Sequence, residues 1–383
     1  MRVVTEGCGV PIKTWCGDIE DGAMEQAVDL SDLPMIFRHV ALMPDCHQGY
    51  GMPIGGVIAV QGAVIPNAVG VDIGCGMCAV KTSLDAMDVD TIKLIFRDIR
   101  ANVPLGFNHH DLPQEWDGFD EAPDIPIINR ELQKARHQLG TLGGGNHFIE
   151  LQVGDDGHVW IMLHSGSRNF GFKIAKEYHD KAKKLCEMWH SGLPCKDLSF
   201  LPIGSQEAGE YIKAMNYALK FAAENRRQMM VVCKDAVRDY TGCRFATEIN
   251  IHHNYAAMEY HFEKNVWVHR KGATRARTGE LGIIPGSQGT ASYIVQGKGE
   301  PESFESCSHG AGRRMGRKKA IRTLDYDAVV AGLDADGIVH SIRDKKSLDE
   351  APQAYKDIDT VIASQLDLVD VIVKLKPLGV IKG

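Results

Sequence analysis

The chain has 383 residues, of which 44% are hydrophobic and 24% charged, the proportions of a globular protein with a sizeable core. Its formal net charge of −7 excludes a protein coated in basic side chains, so any binding of nucleic acid depends on a local patch. The ten cysteines, without a signal-peptide pattern at the N-terminus, indicate reduced thiols in the cytoplasm, and the sequence predicts no membrane span.

The first part of the chain predicts strands followed by a helix. Residues 34–80 alternate short apolar runs with glycine and proline, which is typical of several strands joined by tight turns. Residues 85–100 carry apolar side chains at helical spacing and predict a helix. The segment 106–130 is rich in proline and aspartate and predicts a loop.

A β-hairpin is predicted where two strand-like runs, residues 147–153 and 158–164, flank the sequence Gly-Asp-Asp-Gly. If the two runs pair from their inner ends, His147 lies directly opposite His164. Facing residues of an antiparallel pair point to the same side with Cβ atoms about 5 Å apart. Both imidazoles could therefore reach one metal ion, or two adjacent ones.

Two helices are predicted in the middle of the chain. They cover residues 172–189 and 206–238, and Ser205 is the expected N-cap of the second. Residues 256–261 also have a helical pattern.

The last part of the chain predicts strands and glycine-rich turns, with a short helix near 310–322 and a strand over 370–375. The chain contains no internal repeat and no long linker. The elements together predict an α/β (α+β) fold, with a mixed central sheet in a single large domain over residues 1–383.

Several short motifs contain the side chains that bind transition metals. Asp72 and Cys75 lie in an apolar, glycine-rich turn, where a buried carboxylate and thiol need a neutralising partner. His147 and His164 come from the predicted hairpin, and His253 from an adjacent pair of histidines. Each motif also has a plain structural interpretation, as a turn cap, a core thiol, strand-end histidines or surface histidines. Together they suit Mn²⁺, Zn²⁺ or Fe²⁺ rather than Mg²⁺.

Other motifs are suited to phosphate. Residues 164–168, 270–274 and 285–292 combine small or hydroxyl side chains with cations, although each could also be an ordinary turn. His309 lies among small residues and precedes a basic run, residues 313–322. A neutral imidazole can attack phosphorus while nearby cations stabilise the phosphoryl charge. The run could equally be a solvated basic helix, and it supplies the patch expected for an RNA backbone.

Two absent motifs narrow the choice of enzyme class. The chain has no G-x-x-x-x-G-K-[ST] sequence, so it is not a P-loop NTPase. It also has no Lys-x-Asp-Gly, the lysine nucleophile motif of common polynucleotide ligases. If the chain transfers a nucleotide, a residue other than that lysine must carry it.

The motifs resemble, in order and up to the last residue, those of the RtcB RNA-splicing ligases. The residues that carry the resemblance are Val71-Asp-Ile-Gly-Cys-Gly-Met77, Gly145-Asn-His-Phe-Ile-Glu150, Leu163-His-Ser-Gly-Ser-Arg168, His252-His-Asn-Tyr255, Arg270-Lys-Gly-Ala273, Ile284-Pro-Gly-Ser287, Ser306-Cys-Ser-His-Gly-Ala-Gly-Arg313 and Val380-Ile-Lys-Gly383.

The resemblance implies an RtcB-like fold and a site for two Mn²⁺ ions. Cys75 would bridge the two ions. His164 and His253 would complete one site, and Asp72 and His147 the other.

The resemblance also implies a reaction with GTP. His309 would attack the α-phosphate to give a GMP-histidine and pyrophosphate. A 2′,3′-cyclic phosphate on RNA would be opened to a 3′-phosphate, which accepts the GMP, and a 5′-hydroxyl end would then displace it. The residues expected to bind the guanylate are Asn146, Glu150, Ser287, His309, Gly310, Gly312 and Lys382.

The expected partners are GTP and RNA with such ends, in RNA repair or tRNA splicing, and the sequence leaves open whether an activating helper protein takes part. The chain departs from the family pattern at Cys46, Tyr50 and Gln288, where a small aliphatic residue, a lysine and a methionine are expected. Two alternatives remain. The first is a two-metal phosphoesterase that acts on RNA ends without ligation, and the second is an RNA-binding protein without catalytic activity.

Overall fold

The computed structural model of the chain describes all 383 residues. The α-helices are α1 (Asp21–Ser31), α2 (Val89–Asn102), α3 (Pro126–Gln138), α4 (Arg168–Met188), α5 (Gln206–Thr241), α6 (Arg317–Thr323), α7 (Tyr326–Ala335) and α8 (Ile358–Ala363). The strands are β1 (Arg2–Val4), β2 (Ile12–Thr14), β3 (Ile36–Tyr50), β4 (Met52–Val60), β5 (Ala63–Val64), β6 (Gly76–Thr82), β7 (Phe148–Gly154), β8 (Val159–Ser165), β9 (Leu201–Pro202), β10 (Phe245–His252), β11 (Asn254–His261), β12 (Lys264–Lys271), β13 (Ala273–Arg275), β14 (Leu281–Ile284), β15 (Ser292–Gly297), β16 (Ser306–Ser308) and β17 (Val369–Lys382).

The strands form two large sheets and two small ones. The first large sheet has the order β1-β2-β3-β4-β12-β11, in which only β2 and β3 are parallel. The second has the order β10-β6-β8-β7-β17-β15-β14 and is antiparallel throughout. The small sheets pair β13 with β16 and β5 with β9. The predicted α/β fold with mixed strand directions is confirmed, whereas the single domain over residues 1–383 stays a prediction.

The helices cover the faces of the two large sheets. α5 lies against β6, β8 and β10, and α1 lies against β3 and β4. Met229 and Cys233 of α5 join a buried cluster with Ile149 of β7 and Leu163 of β8. Removal of such apolar side chains from water is the main contribution to the stability of a fold of this kind. No helix has both the length and the apolar character needed to cross a membrane.

The predicted helices in the first and middle parts of the chain are present. α2 buries Ile92, Phe96 and Ile99, which follow the helical spacing of the sequence. α4 and α5 cover the two segments predicted in the middle of the chain. Ser205 is the N-cap of α5 as predicted, and its Oγ accepts a hydrogen bond from the N–H of Ala208 at 3.2 Å.

The predicted hairpin forms from β7 and β8, but its register is shifted by one residue. Phe148, and not His147, lies directly opposite His164. The turn lies one residue further along the chain than predicted: the N–H of Gly154 donates to the carbonyl of His158, which continues the pairing of Val153 with Val159, and Gly157 turns the chain with a φ of +74°. His147 therefore lies just before β7 begins, and its side chain does not project from the paired strand.

The prediction of a helix over residues 256–261 is wrong. These residues belong to β11 and pair one by one with β12 from Asn254 to His261. The hydrogen-bonded ladder of the sheet outweighs a local helical pattern over so short a segment. The strand predicted over residues 370–375 is part of the longer β17.

Two helix boundaries also differ from the prediction. The helix expected near residues 310–322 begins only at Arg317, after a glycine-rich stretch whose backbone is not helical. The loop predicted over residues 106–130 ends earlier, because Pro126 begins α3. Proline is favoured in the first turn of a helix, where its missing N–H costs no hydrogen bond.

Candidate active site

A cavity of about 810 Å³ opens where strand ends from both large sheets meet. β10 ends at His252 and β11 begins at Asn254, so the chain passes from one sheet to the other at His253. The predicted site residues that line the cavity are Asp72, Cys75, Asn146, Glu150, His164, His253, Ser287, His309, Gly310, Gly312 and Lys382.

Cys75 contacts two histidines from the hairpin region. Its Sγ lies 3.4 Å from Nε2 of His147 and 3.2 Å from Nε2 of His164. The ligand atoms of these three buried residues all lie within 4.8 Å of one another, which is close enough to hold one metal ion. The shifted register does not separate the two histidines, because His147 turns in from the residue before β7 while His164 projects from β8.

Asp72 and His253 extend this group to five possible ligands. Oδ2 of Asp72 lies 3.2 Å from Nε2 of His147, and Nε2 of His253 lies 3.4 Å from Nε2 of His164. The structure thus brings together two pairs, and Cys75 contacts one member of each. The role of these five residues as metal ligands stays a prediction.

The chemistry of the five side chains fits a divalent cation. Oδ1 of Asp72 and Nδ1 of His253 are buried without a hydrogen-bond partner. Burial, followed by the charges of neighbouring histidines, lowers the pKa values of His164 and His253 well below 6.5, so both rings are neutral and have a lone pair to offer. Burial and then Asp72 raise the pKa of Cys75 well above its usual value, so a thiolate here needs a cation beside it.

Arg226 of α5 holds the loops that carry these residues. Its Nη1 donates to the carbonyl of Gly74 at 2.8 Å and to that of Ser165 at 2.9 Å. Its Nη2 lies 3.0 Å from Nδ1 of His252, beside the predicted ligand His253. The guanidinium is fully buried, and it therefore fixes the start of β6, the end of β8 and the end of β10 relative to one another.

His309 is held by a carboxylate, Asp45, that no motif in the sequence identifies as part of the site. Nδ1 of His309 donates to Oδ2 of Asp45 at 2.7 Å, and the backbone N–H groups of His309 and Gly310 donate to the same oxygen. With the proton on Nδ1, the lone pair lies on Nε2. The ring of His309 is 4.8 Å from that of His253, centroid to centroid, so the nucleophile candidate adjoins the metal candidates.

The signal for Asp45 in the sequence was a carboxylate inside an apolar run. Asp45 follows Ala41, Leu42 and Met43 on β3, and all of these side chains are fully buried. A buried carboxylate has to be hydrogen-bonded, so the sequence indicates that Asp45 has a partner. It does not identify the partner residue. Gly312 is required nearby, because its φ is +73° and a Cβ there would lie 2.2 Å from the carbonyl oxygen of Asp45.

A second part of the cavity is lined by Glu150 and Lys382, two of the residues predicted to bind the guanylate. Oε2 of Glu150 accepts a hydrogen bond from Gln152 at 2.8 Å, while its Oε1 is buried without a partner. Burial raises the pKa of Glu150 well above its usual value, although Lys382 acts in the opposite direction. β17 pairs with β7 and brings Lys382 to this wall, where its Nζ lies 3.8 Å from Oε2 of Glu350.

The remaining predicted guanylate residues lie around this wall. The N–H and the Oγ of Ser287 both bond Oγ1 of Thr290, at 2.7 and 2.9 Å, which fixes the turn before β15. Asn146 contacts Nδ1 of His164 through its backbone carbonyl, at 3.2 Å. This contact does not use the side chain of Asn146, which remains available to a ligand. Gly310 leaves open the space beside Pro285. Their contacts with a nucleotide stay a prediction.

The segments predicted to bind phosphate have different positions in the structure. Arg270 is not available for phosphate, because it is fully buried and donates to both oxygens of Glu259 at 2.6 and 3.0 Å. Arg168 donates to the carbonyl of Gly106 and to Oγ1 of Thr141. The segment 285–292 reaches the cavity through Ser287, as described above.

Lys271, next to Arg270, is a buried cation on the cavity wall. Its Nζ donates to the carbonyls of Tyr50 at 2.6 Å and Asn67 at 3.1 Å. Burial lowers its pKa to about 7, although the charge of Asp197 acts in the opposite direction.

Comparison with known proteins identifies one family over nearly the whole chain. The family description "tRNA-splicing ligase RtcB" matches residues 26–122 and 114–383. The chain is 40% identical over 400 residues to the RNA-splicing ligase RtcB of Escherichia coli K12, with 97% of both chains covered. It is 34% identical over 460 residues to the tRNA-splicing ligase RtcB of Pyrobaculum aerophilum, covering 98% of this chain and 95% of that relative. It is 32% identical over 448 residues to the tRNA-splicing ligase RtcB of Methanococcus maripaludis, covering 96% and 92%.

Proposed function

Because the chain belongs to the RtcB family of tRNA-splicing ligases, we propose that it is an RNA ligase that uses GTP and two Mn²⁺ ions. It joins RNA ends that carry a 3′-phosphate or 2′,3′-cyclic phosphate to ends that carry a 5′-hydroxyl, in RNA repair or tRNA splicing. The reaction passes through a GMP-histidine at His309. The whole chain, residues 1–383, acts as one catalytic domain. We place it in the cytoplasm, because its cysteines are all free thiols, which suits a reducing compartment.

The observation that carries this proposal is the position of His309. Asp45 holds the proton on Nδ1, so Nε2 is the nitrogen with a lone pair. The neighbouring ring belongs to His253, one of the five predicted metal ligands. A nucleophile attacks phosphorus efficiently when it is held in place beside cationic groups that stabilise the phosphoryl charge.

The five predicted ligands prepare the site for the ions. Cys75, Asp72 and His147 would hold one ion, and Cys75, His164 and His253 the other. Bound Mn²⁺ would supply Lewis-acid stabilisation of the phosphate oxygens. The neutral histidines contribute lone pairs without an added positive charge, which leaves the attraction for phosphate to the metal and to nearby cations such as Lys382.

The polar wall around Glu150 supports guanine as the base. Guanine presents its N1–H and N2–H donors on one edge, and a carboxylate can accept both; together with Lys382, these donors would oppose the rise that burial causes in the pKa of Glu150. The buried Oε1 of Glu150 lacks a partner and is suited to one of these donors. Adenine has an acceptor in place of N1–H and would leave a carboxylate oxygen without a donor, which favours GTP over ATP.

The proposal is tested by label transfer from GTP with a radioactive α-phosphate in the presence of Mn²⁺. We expect an acid-labile protein adduct with wild type and none with His309→Ala. His190→Ala is a suitable control, because His190 is exposed and does not line the cavity.

The same experiment distinguishes the main alternative, a two-metal phosphoesterase. That enzyme would need the metal ligands but not the nucleophile His309. If metal-loaded wild type forms no adduct and yet hydrolyses a 2′,3′-cyclic phosphate, and if His309→Ala hydrolyses it equally well, the ligase proposal is wrong. Joining of a 5′-hydroxyl RNA to a 3′-phosphate RNA by wild type, and not by His309→Ala, would support it.

A further inference from the structure

Tyr50 is the one aromatic side chain that the cavity presents openly to solvent. Three tyrosine or phenylalanine side chains line the cavity, namely those of Tyr50, Phe148 and Tyr355. Phe148 is buried, and the hydroxyl of Tyr355 is bound to Glu350. Tyr50 is 77% exposed, although leaving an aromatic ring in water forgoes the gain of burying it.

The backbone that carries Tyr50 is held firmly. Its carbonyl accepts hydrogen bonds from Nζ of Lys271 at 2.6 Å and from Nδ2 of Asn67 at 3.2 Å. Tyr50 is the last residue of β3 and pairs with Met52 of β4 across Gly51, whose φ is +69°. The side chain of Met52 is fully buried, so the turn is fixed on its inner side while the ring of Tyr50 remains outside.

Because the backbone under the ring is already ordered, binding a flat partner has to restrict only the side-chain rotations of Tyr50. The side chains that accompany it on the cavity wall include Glu20, Gln48 and Val71, and the ammonium group of Lys271 beside it is buried and bonded to the carbonyls of Tyr50 and Asn67. Attraction of an RNA phosphate by charge is therefore weak on this part of the wall. The exposed ring of Tyr50 can instead bind RNA by stacking on a base.

We propose that Tyr50 stacks on an unpaired RNA base beside the break that the enzyme seals. This inference rests on the proposed function and adds to it a residue that positions the RNA. The phosphate and hydroxyl ends must enter the cavity to reach His309. The RNA strands that carry these ends therefore extend out of the cavity at its opening to solvent. Aromatic side chains bind unpaired bases by stacking in many single-strand-binding proteins, without regard to sequence.

The test uses RNA strands labelled with 2-aminopurine, a base whose fluorescence is quenched on stacking, at the 3′-phosphate end or at the 5′-hydroxyl end. Binding is measured without GTP, so that no ligation occurs. Tyr50→Phe keeps the ring, and Tyr50→Leu keeps apolar bulk without the ring. We expect wild type and Tyr50→Phe to quench the label at one of the two ends with similar affinity. Tyr50→Leu should lose the quenching and bind about tenfold more weakly.

Ligation kinetics supply a second readout. Tyr50→Leu should raise KM for RNA about tenfold and change kcat much less, because the ring positions RNA and does not touch the reacting atoms. Equal quenching and equal KM in wild type and Tyr50→Leu would overturn the stacking proposal while leaving the ligase intact. If wild type neither forms the GMP adduct nor binds RNA, the proposed function fails, and the stacking proposal fails with it.

Discussion

Asp45 accepts three hydrogen bonds on a single oxygen, from Nδ1 of His309 and from the backbone N–H groups of His309 and Gly310. Asp45→Asn retains an acceptor for the backbone but can present an amide N–H to the ring, which favours the wrong tautomer. We expect the rate of GMP-histidine formation to fall by about 10²- to 10⁴-fold, the range for loss of an orienting carboxylate. Single-turnover label transfer from GTP measures it.

The Asp45→Asn substitution should slow the chemical step specifically. GTP binding is expected to change less than the rate, since the amide oxygen of the variant can still accept the backbone N–H of Gly310. Asp111→Asn, at an exposed position away from the cavity, serves as the control. Guanylylation by Asp45→Asn at the wild-type rate would show that the hydrogen bond does not orient His309.

Glu150 determines the base specificity in the proposed function. Glu150→Gln replaces one of the two carboxylate oxygens with an NH2 group, which cannot accept a hydrogen bond from guanine. GTP binding should weaken about 10- to 100-fold, the value of a hydrogen bond to a charged group, and the preference over ATP should shrink. Calorimetric titration with GTP and ATP measures both. Glu121→Gln is the exposed control, and an unchanged preference for GTP in Glu150→Gln would remove this residue from base recognition.

The Sγ of Cys75 lies within 3.4 Å of a ligand nitrogen from each pair, His147 in one and His164 in the other. Cys75→Ala should abolish ligation and also the gain in melting temperature that Mn²⁺ gives the wild type, because water does not replace a thiolate at comparable affinity. A metal at 100 times its Kd stabilises the folded state by about 2.7 kcal/mol. Thermal unfolding with and without Mn²⁺ measures the gain. Cys8→Ala, outside the cavity, should keep it, and a full gain in Cys75→Ala would contradict the assignment.

At the scale of elements, α5 holds three strand ends through Arg226. Arg226→Met removes the guanidinium donor from the carbonyls of Gly74 and Ser165 and leaves only Nδ1 of His252 near that of Gly74, and a buried carbonyl left without a donor costs about 1–3 kcal/mol. We expect the free energy of unfolding to fall by about 2–5 kcal/mol in urea denaturation, and Mn²⁺ binding to weaken because the strand ends carry its ligands. Arg227→Met, the adjacent and exposed position, is the matched control. Equal stability of the two variants would contradict this role.

The elements show which features the sequence predicts and which it does not. The strands β7 and β8 follow from local patterns, but their register depends on a hydrogen bond within the turn that composition does not specify. Residues 256–261 have a helical pattern yet form a strand, because their partner β12 is a tertiary contact. The bond between Asp45 and His309 joins residues 264 positions apart, and no local pattern identifies such a pair. The sequence predicts the metal candidates from their side-chain types, because a carboxylate and a thiol are unusual in a buried turn. The structure brings these two together with the three histidines, and their role as ligands stays a prediction.

At the scale of the whole molecule, the distribution of charge matters more than its total. The formal net charge is −7, yet α6 and the residues before it expose Arg314, Arg317, Lys318 and Lys319 beside the cavity. Arg317 lines the cavity itself. A protein with a net negative charge can bind RNA only where such a cluster overcomes the general repulsion, and the binding then weakens as salt screens the phosphates.

The basic cluster around α6 leads to a quantitative prediction for RNA binding. Each cation that neutralises a phosphate of single-stranded RNA contributes about 0.7 to the slope of log K against log salt. The double variant Lys318→Ala/Lys319→Ala should therefore reduce the slope by about 1.4 if both lysines contact phosphates. The double variant Lys213→Ala/Lys220→Ala on the exposed side of α5 changes the net charge equally and lies away from the cavity, so its slope should stay at the wild-type value. Equal slopes for the two double variants would mean that net charge, and not the position of the cluster, governs binding.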